Sequence, residues 1–142
     1  MNRLYPIDQV MVSLREEEGW SATVYQCSEG HWTIGYGRNV DPHTGIGITR
    51  DEGEFMLRAD VMRTIAELDS AFPQFGDLDQ PRTAVLIELC FQLGLPTLRK
   101  FTNMLAALWS GDNDRAAEEL LDSRYARQVP ARADRYAERL RS

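Results

Sequence analysis

The sequence predicts an α+β domain that is mostly α: one helix, a small β-hairpin sheet, then a run of helices. Three observations carry this. The opening residues recur at helical spacing behind a proline, residues 22 to 36 switch to β-type side chains around a turn signal, and residues 81 to 93 are apolar nearly all round. The last pattern marks a helix buried at the centre of its neighbours.

Taken in order, Ile7, Val10, Met11 and Leu14 form one stripe after Pro6, which suits a helix start, and the helix ends near Gly19 with Glu18 in its last turn. Val24, Trp32, Ile34 and Tyr36 flank Ser28-Glu29-Gly30, which reads as a hairpin, and Gly35, Gly37, Gly45 and Gly47 extend an irregular stretch beyond it. Thr49-x-x-Glu52 is a capping box opening a helix of about 20 residues, with Phe55, Ala59, Met62, Ile65 and Ala66 as its stripe and Pro73 as its limit. The central helix over 81 to 93 stops at Gly94 and Pro96. Helices at about 98 to 110 and 113 to 122 follow, and a short basic helix after Pro130 closes the chain. The expected organisation is a single domain over 1–142: an N-terminal helix and β portion to about 48, a long connecting helix at about 50–71, and a helical portion over about 72–142. Nothing rich in Pro, Gly or Ser separates them.

Composition removes several classes of function. With 43% hydrophobic and 27% charged residues the chain is an ordinary globular domain, and no apolar run approaches the roughly 20 residues a bilayer needs. A net charge of -6 opposes attraction to phosphate backbones, so no nucleic-acid partner is expected. The first six residues, Met1 to Pro6, do not read as a secretory signal, so the expectation is a protein made and kept in the cytosol. Cys27 and Cys90 are read as free thiols, and His31 and His43 lack a second ligand at helical spacing, so neither metal nor cofactor is called for. Nothing suggests more than a monomer.

Two features break local rules. Glu18 continues the series 7, 11, 14, so a carboxylate stands where the buried stripe would put an apolar residue. Partial burial, the helix dipole and neighbouring Glu16 and Glu17 would all raise its pKa, which suits general-acid chemistry on a glycosidic oxygen; the bland reading is a solvated helix end. Cys27 and Thr33 are symmetric about Gly30, so they can face each other across the hairpin. A Cys near a Thr is otherwise ordinary packing.

Together Glu18, eight residues, Cys27, five residues, Thr33, followed directly by Thr33-Ile34-Gly35-Tyr36-Gly37, resemble the phage T4-type lysozymes of glycoside hydrolase family 24, in which the middle position is Asp or Cys. The similarity continues through I-T-x-D-E (48 to 52), A-V-L-I-E-L-C-F-Q-L-G (84 to 94), F-T-N (101 to 103), A-A-x-x-L (116 to 120) and S-R-Y-x-x-Q-x-P-x-R-A (123 to 133). It implies a two-lobed lysozyme-like fold and a muramidase cutting the β-1,4 bond between N-acetylmuramic acid and N-acetylglucosamine, inverting, with Glu18 as acid and Cys27 and Thr33 placing the attacking water. It further implies that Arg132 pairs with the catalytic glutamate, that Glu29 and Arg124 lie on opposite lips of a cleft, and that Gln92 and Tyr125 lie near its floor. Phe101-Thr102-Asn103 begins a loop that can line the glycan groove. Arg124 and Glu29 could instead be plain surface charges, and Tyr125 and Phe101 could be packing.

A thiol in place of Asp is the departure from the better-known members, since its ordinary pKa of about 8.5 leaves it mostly neutral at pH 7 and the nearby glutamates oppose lowering it. Activity should depend on the redox state of Cys27. The resemblance implies a phage endolysin acting on bacterial peptidoglycan, stored in the host cytoplasm and released to the wall by a holin. A lytic transglycosylase on the same bond, or a catalytically weak lysozyme-fold protein that binds glycan, are the competing readings.

Overall fold

A computed structural model describes residues 5–142. The chain divides into two compact units, Met1–Glu54 and Phe55–Ser142, with the division falling inside the long helix.

The first unit begins with α1 (Ile7–Glu18), which stops where the Gly19 N–H bonds back to the Arg15 carbonyl. Its stripe does not meet the expectation of burial: Ile7, Val10, Met11 and Leu14 are all exposed, and α1 contains no buried residue. A unit of some fifty residues has too little interior to cover such a face. Strands β1 (Ser21–Gln26), β2 (Trp32–Gly35) and β3 (Arg38–Asn39) follow as an antiparallel sheet in the order β1-β2-β3. The third strand lies in what the sequence reads as irregular glycine-rich chain; two residues are too short to show alternation.

Hydrogen bonds hold the end of this unit. The Thr49 N–H donates to Glu52 and the Glu52 N–H to Thr49 Oγ1, so the capping box is formed as expected. Glu52 also meets Arg38 at 2.5 Å, which ties β3 to the start of α2 (Arg50–Ala71). Farther along α2 the buried positions are Thr64 and Leu68, with Ile65 partly buried, whereas Phe55, Ala59, Met62 and Ala66 are exposed. The working stripe is therefore rotated from the one read in the sequence, because Thr64 hides its hydroxyl by donating to the Asp60 carbonyl and so passes as a core residue.

The second unit owns the apolar core, which runs from Leu68 to Leu140. At its heart is α3 (Gln80–Leu93), capped by Asp79, with Val85, Leu86 and Leu89 wholly buried. After Gly94 the chain forms α4 (Leu95–Leu98), α5 (Thr102–Ser110), α6 (Asn113–Leu121), α7 (Arg124–Gln128) and α8 (Pro130–Arg141). Pro96 starts the short α4 rather than only ending α3, because a proline is tolerated in a first turn. Ser123 caps α7, a helix in a stretch to which the sequence reading assigns no element. Arg82 is a buried cation of α3 that the hydrophobic pattern hid; it bonds Asp79 at 2.7 Å and the carbonyl oxygens of Leu140 and Ser142, fastening the end of α8. Among the described residues no helix is long and apolar enough to cross a membrane.

Candidate functional site

The first unit holds three sequence-predicted residues, Cys27 and Thr33 near each other on the hairpin and Glu18 against Gly37. Glu18 ends α1, and a Cβ placed on Gly37 would lie 2.7 Å from its Oε2. A side chain at position 37 would push the flexible Glu18 carboxylate aside, and Gly37 has φ of 85°, so the second glycine of Thr-Ile-Gly-Tyr-Gly leaves room for the carboxylate against the β2–β3 turn. Glu18 itself is exposed, which removes burial from the reasons offered for its chemistry.

The hairpin register corrects one expectation. Tyr25 pairs with Thr33 and Gln26 with Trp32, so the turn is centred on Glu29, not Gly30, and Cys27 opposes His31. A three-residue loop closes it, with the Gly30 N–H on the Cys27 carbonyl and Gly30 at φ 82°. Cys27 and Thr33 are thus diagonal neighbours on one face of the sheet rather than direct partners, still within side-chain reach. Thr33 is 5% exposed, and its hydroxyl donates to the His31 carbonyl at 3.0 Å.

Cys27 is half-buried, and its thiol is pulled below the ordinary value by the backbone N–H groups of His31 and Glu29. The Thr33 hydroxyl pulls the same way, while slight burial and the Glu29 charge oppose it. The glutamates therefore do not decide the matter, as the sequence suggested they would: hairpin amides stabilise the thiolate more than Glu29 repels it. Glu29 is at the exposed loop tip, 3.8 Å from the His31 ring.

In the second unit, three more sequence-predicted residues meet. Gln92 Oε1 accepts from the Tyr125 hydroxyl and from Arg132, each at 2.9 Å. The Gln92 Nε2 donates to the Tyr136 hydroxyl at 2.6 Å, and the Tyr125 and Tyr136 rings stack with centroids 6.5 Å apart. Burial pushes the Tyr125 phenol up, which keeps it a donor. Tyr136 was not singled out from sequence, although it lies one helical turn beyond Arg132. Arg124 is exposed at the start of α7 and lines a groove of about 430 Å³ with Tyr125, Phe101, Thr102 and Asn103. The F-T-N segment, which opens α5 and not the expected loop, and the α7 residues thus share one concave surface.

Comparison with known proteins matches residues 15–137 to the family described as Phage lysozyme. The chain belongs to the phage lysozyme family. Membership makes it a lysozyme-type protein with peptidoglycan as its substrate class, and agrees with the mostly helical α+β fold. Among its relatives is the endolysin of Acyrthosiphon pisum secondary endosymbiont phage 1, 30% identical over 111 residues, which are 78% of this chain and 74% of that protein. The probable T4-type lysozyme 2 of Dictyostelium discoideum is 25% identical over 86% of this chain and 87% of its own. The pre-baseplate central spike protein Gp5 of Enterobacteria phage T4 is 27% identical over 86% of this chain, but the match spans 26% of that longer protein.

Proposed function

We propose that this phage lysozyme is an inverting N-acetylmuramidase, an endolysin that hydrolyses the β-1,4 bond between N-acetylmuramic acid and N-acetylglucosamine. The observation that carries the reading is the single face shared by Cys27 and Thr33, in the same unit that sets the Glu18 carboxylate against Gly37. The Thr33 hydroxyl, with its proton on the His31 carbonyl, can accept one hydrogen of a water, and the Cys27 sulfur, in its ionised form, accepts the other. Held by two acceptors, that water turns its lone pair outward. It attacks the anomeric carbon and yields its proton to Cys27, while Glu18 donates a proton to the departing glycosidic oxygen.

Glu29, Gln92, Arg124 and Tyr125 are assigned to substrate binding and Arg132 to support, the whole chain acting as one muramidase domain. The lowered pKa of Cys27 works toward a base for the water, and so toward water attack rather than internal attack by the 6-hydroxyl of muramic acid. In the cell the protein is held in the host cytoplasm, released through a holin and acts on the wall in the periplasm.

The test is turbidity loss of outer-membrane-permeabilised Gram-negative cells with wild type, Glu18→Gln and Cys27→Ser, followed by mass analysis of the released muropeptides. Lysis abolished in Glu18→Gln, with hydrated reducing ends from wild type, supports the proposal. Anhydro ends overturn the hydrolytic step, and no lysis by wild type overturns the enzymatic reading.

A further inference from the structure

The hydrogen bonds around Gln92 have only one consistent polarity. Arg132 carries donors alone, so the group it meets must be the amide oxygen, and Gln92 Oε1 faces it. The second lone pair of that oxygen is taken by the Tyr125 hydroxyl, which must therefore donate. Nε2 is left pointing at Tyr136, whose oxygen must accept. Of four hydrogen-bonding positions on the amide, three are used, and what remains is one Nε2–H.

Gln92 is exposed and lines an open groove of about 430 Å³, so this last donor faces solvent. Tyr136 by contrast is 4% exposed, with Arg139 5.4 Å above its ring and Tyr125 stacked on it, and cannot swing away. A flexible surface glutamine would present donor or acceptor by flipping; here the flip would put an NH₂ against a guanidinium.

We infer that Tyr136 is a positioning residue which, with Arg132 and Tyr125, locks Gln92 as a one-proton donor toward an acceptor oxygen of the glycan, a hydroxyl or an acetamido carbonyl. This rests on the muramidase reading for its substrate, though the lock itself does not. Tyr136→Phe frees the amide and lets it sample the wrong polarity. Gln92→Glu keeps the shape and suits all three neighbours, since each can donate to a carboxylate, but removes the outward donor.

The experiment measures KM and kcat on soluble uncrosslinked glycan strands, the melting temperature, and the side-chain amide signals of Gln92 by NMR. Tyr136→Phe should raise KM roughly three- to tenfold, the range of one lost hydrogen bond, with a much smaller change in kcat. In a Gln92→Leu background the same substitution should leave KM unchanged. Gln92→Glu should raise KM without lowering the melting temperature. In wild type the Gln92 amide proton bonded to Tyr136 should exchange with solvent more slowly than the other one, and Tyr136→Phe should remove that protection and shift the signal. An equal KM effect of Tyr136→Phe in both backgrounds, a Gln92→Glu protein that binds as wild type does, or amide signals indifferent to Tyr136 would overturn the inference. Absence of lysis by wild type is a different failure, that of the muramidase reading, and leaves the NMR arm able to judge the lock.

Discussion

Among the described residues up to Glu54, Thr33 is the one buried side chain, and a threonine at that; from Phe55 onward, leucines, a valine and alanines are sealed from solvent around α3. The first unit is held by strand pairing, a capping box and the Arg38–Glu52 pair, the second by apolar burial. The residues assigned to bond cleavage lie in the former and most of those assigned to substrate binding in the latter. On that proposed assignment, chemistry falls where few contacts would be disturbed by an ill-fitting polar group, and recognition where packing fixes side-chain orientation.

The largest effects should split along that line. Glu18→Gln alters an exposed side chain, so stability should move by no more than about 0.5 kcal/mol, while lysis falls by roughly a hundredfold or more. Leu89→Ala in α3 should do the reverse, costing about 2–5 kcal/mol through the cavity it leaves, with activity per folded molecule kept at low temperature. Denaturant melts beside lysis assays check both. A Glu18→Gln protein that unfolds, or a Leu89→Ala protein inactive while folded, would erase the division of labour.

The two cysteines give the next comparison. Hairpin amides pull the Cys27 thiol down, whereas burial, with the Glu67 charge, pushes the Cys90 thiol up. Iodoacetamide near neutral pH should therefore alkylate Cys27 many times faster than Cys90, and lysis should disappear in step with the first label. As pH falls through the lowered Cys27 value the thiolate is lost, so labelling and lysis should decline together on the acid side. Peptide mapping by mass spectrometry reads the order, and full activity after Cys27 is blocked would remove it from the mechanism.

What could be read in advance follows the same physics. Helix α3 and the capping box were legible because each is a local pattern, an apolar run or a reciprocal pair three residues apart. The Glu18, Cys27 and Thr33 spacing was legible only as a resemblance, and the hairpin axis was misplaced by one residue because Ser28-Glu29-Gly30 marks a turn without stating its type. Tyr136 and Arg82 were missed since their partners, Gln92 and the Leu140 carbonyl, lie 44 and 58 residues away. The stripe of α1 is a true helical pattern but not a buried surface.

The smallest expected effect concerns what holds the first unit together. Glu52 is held down at about 2, from an ordinary value of 4.5, first by its bond to Arg38 and then by the Thr49 amide and hydroxyl. A carboxylate depressed in the folded state contributes stability that is fully present above its unfolded value and is lost as pH falls toward the folded one. The window is thus about pH 4.5 down to 2, and both partners are partly exposed, so salt should narrow it. Trp20 and Trp32 report on this unit and Trp109 on the other, so single-tryptophan variants followed by fluorescence through an acid titration can separate them. The signal of the first unit should change within that window, and Glu52→Gln should flatten the change while leaving the Trp109 signal as it was. A first unit equally acid-sensitive with and without Glu52 would mean that strand pairing alone holds it, and that the Arg38 bond is incidental.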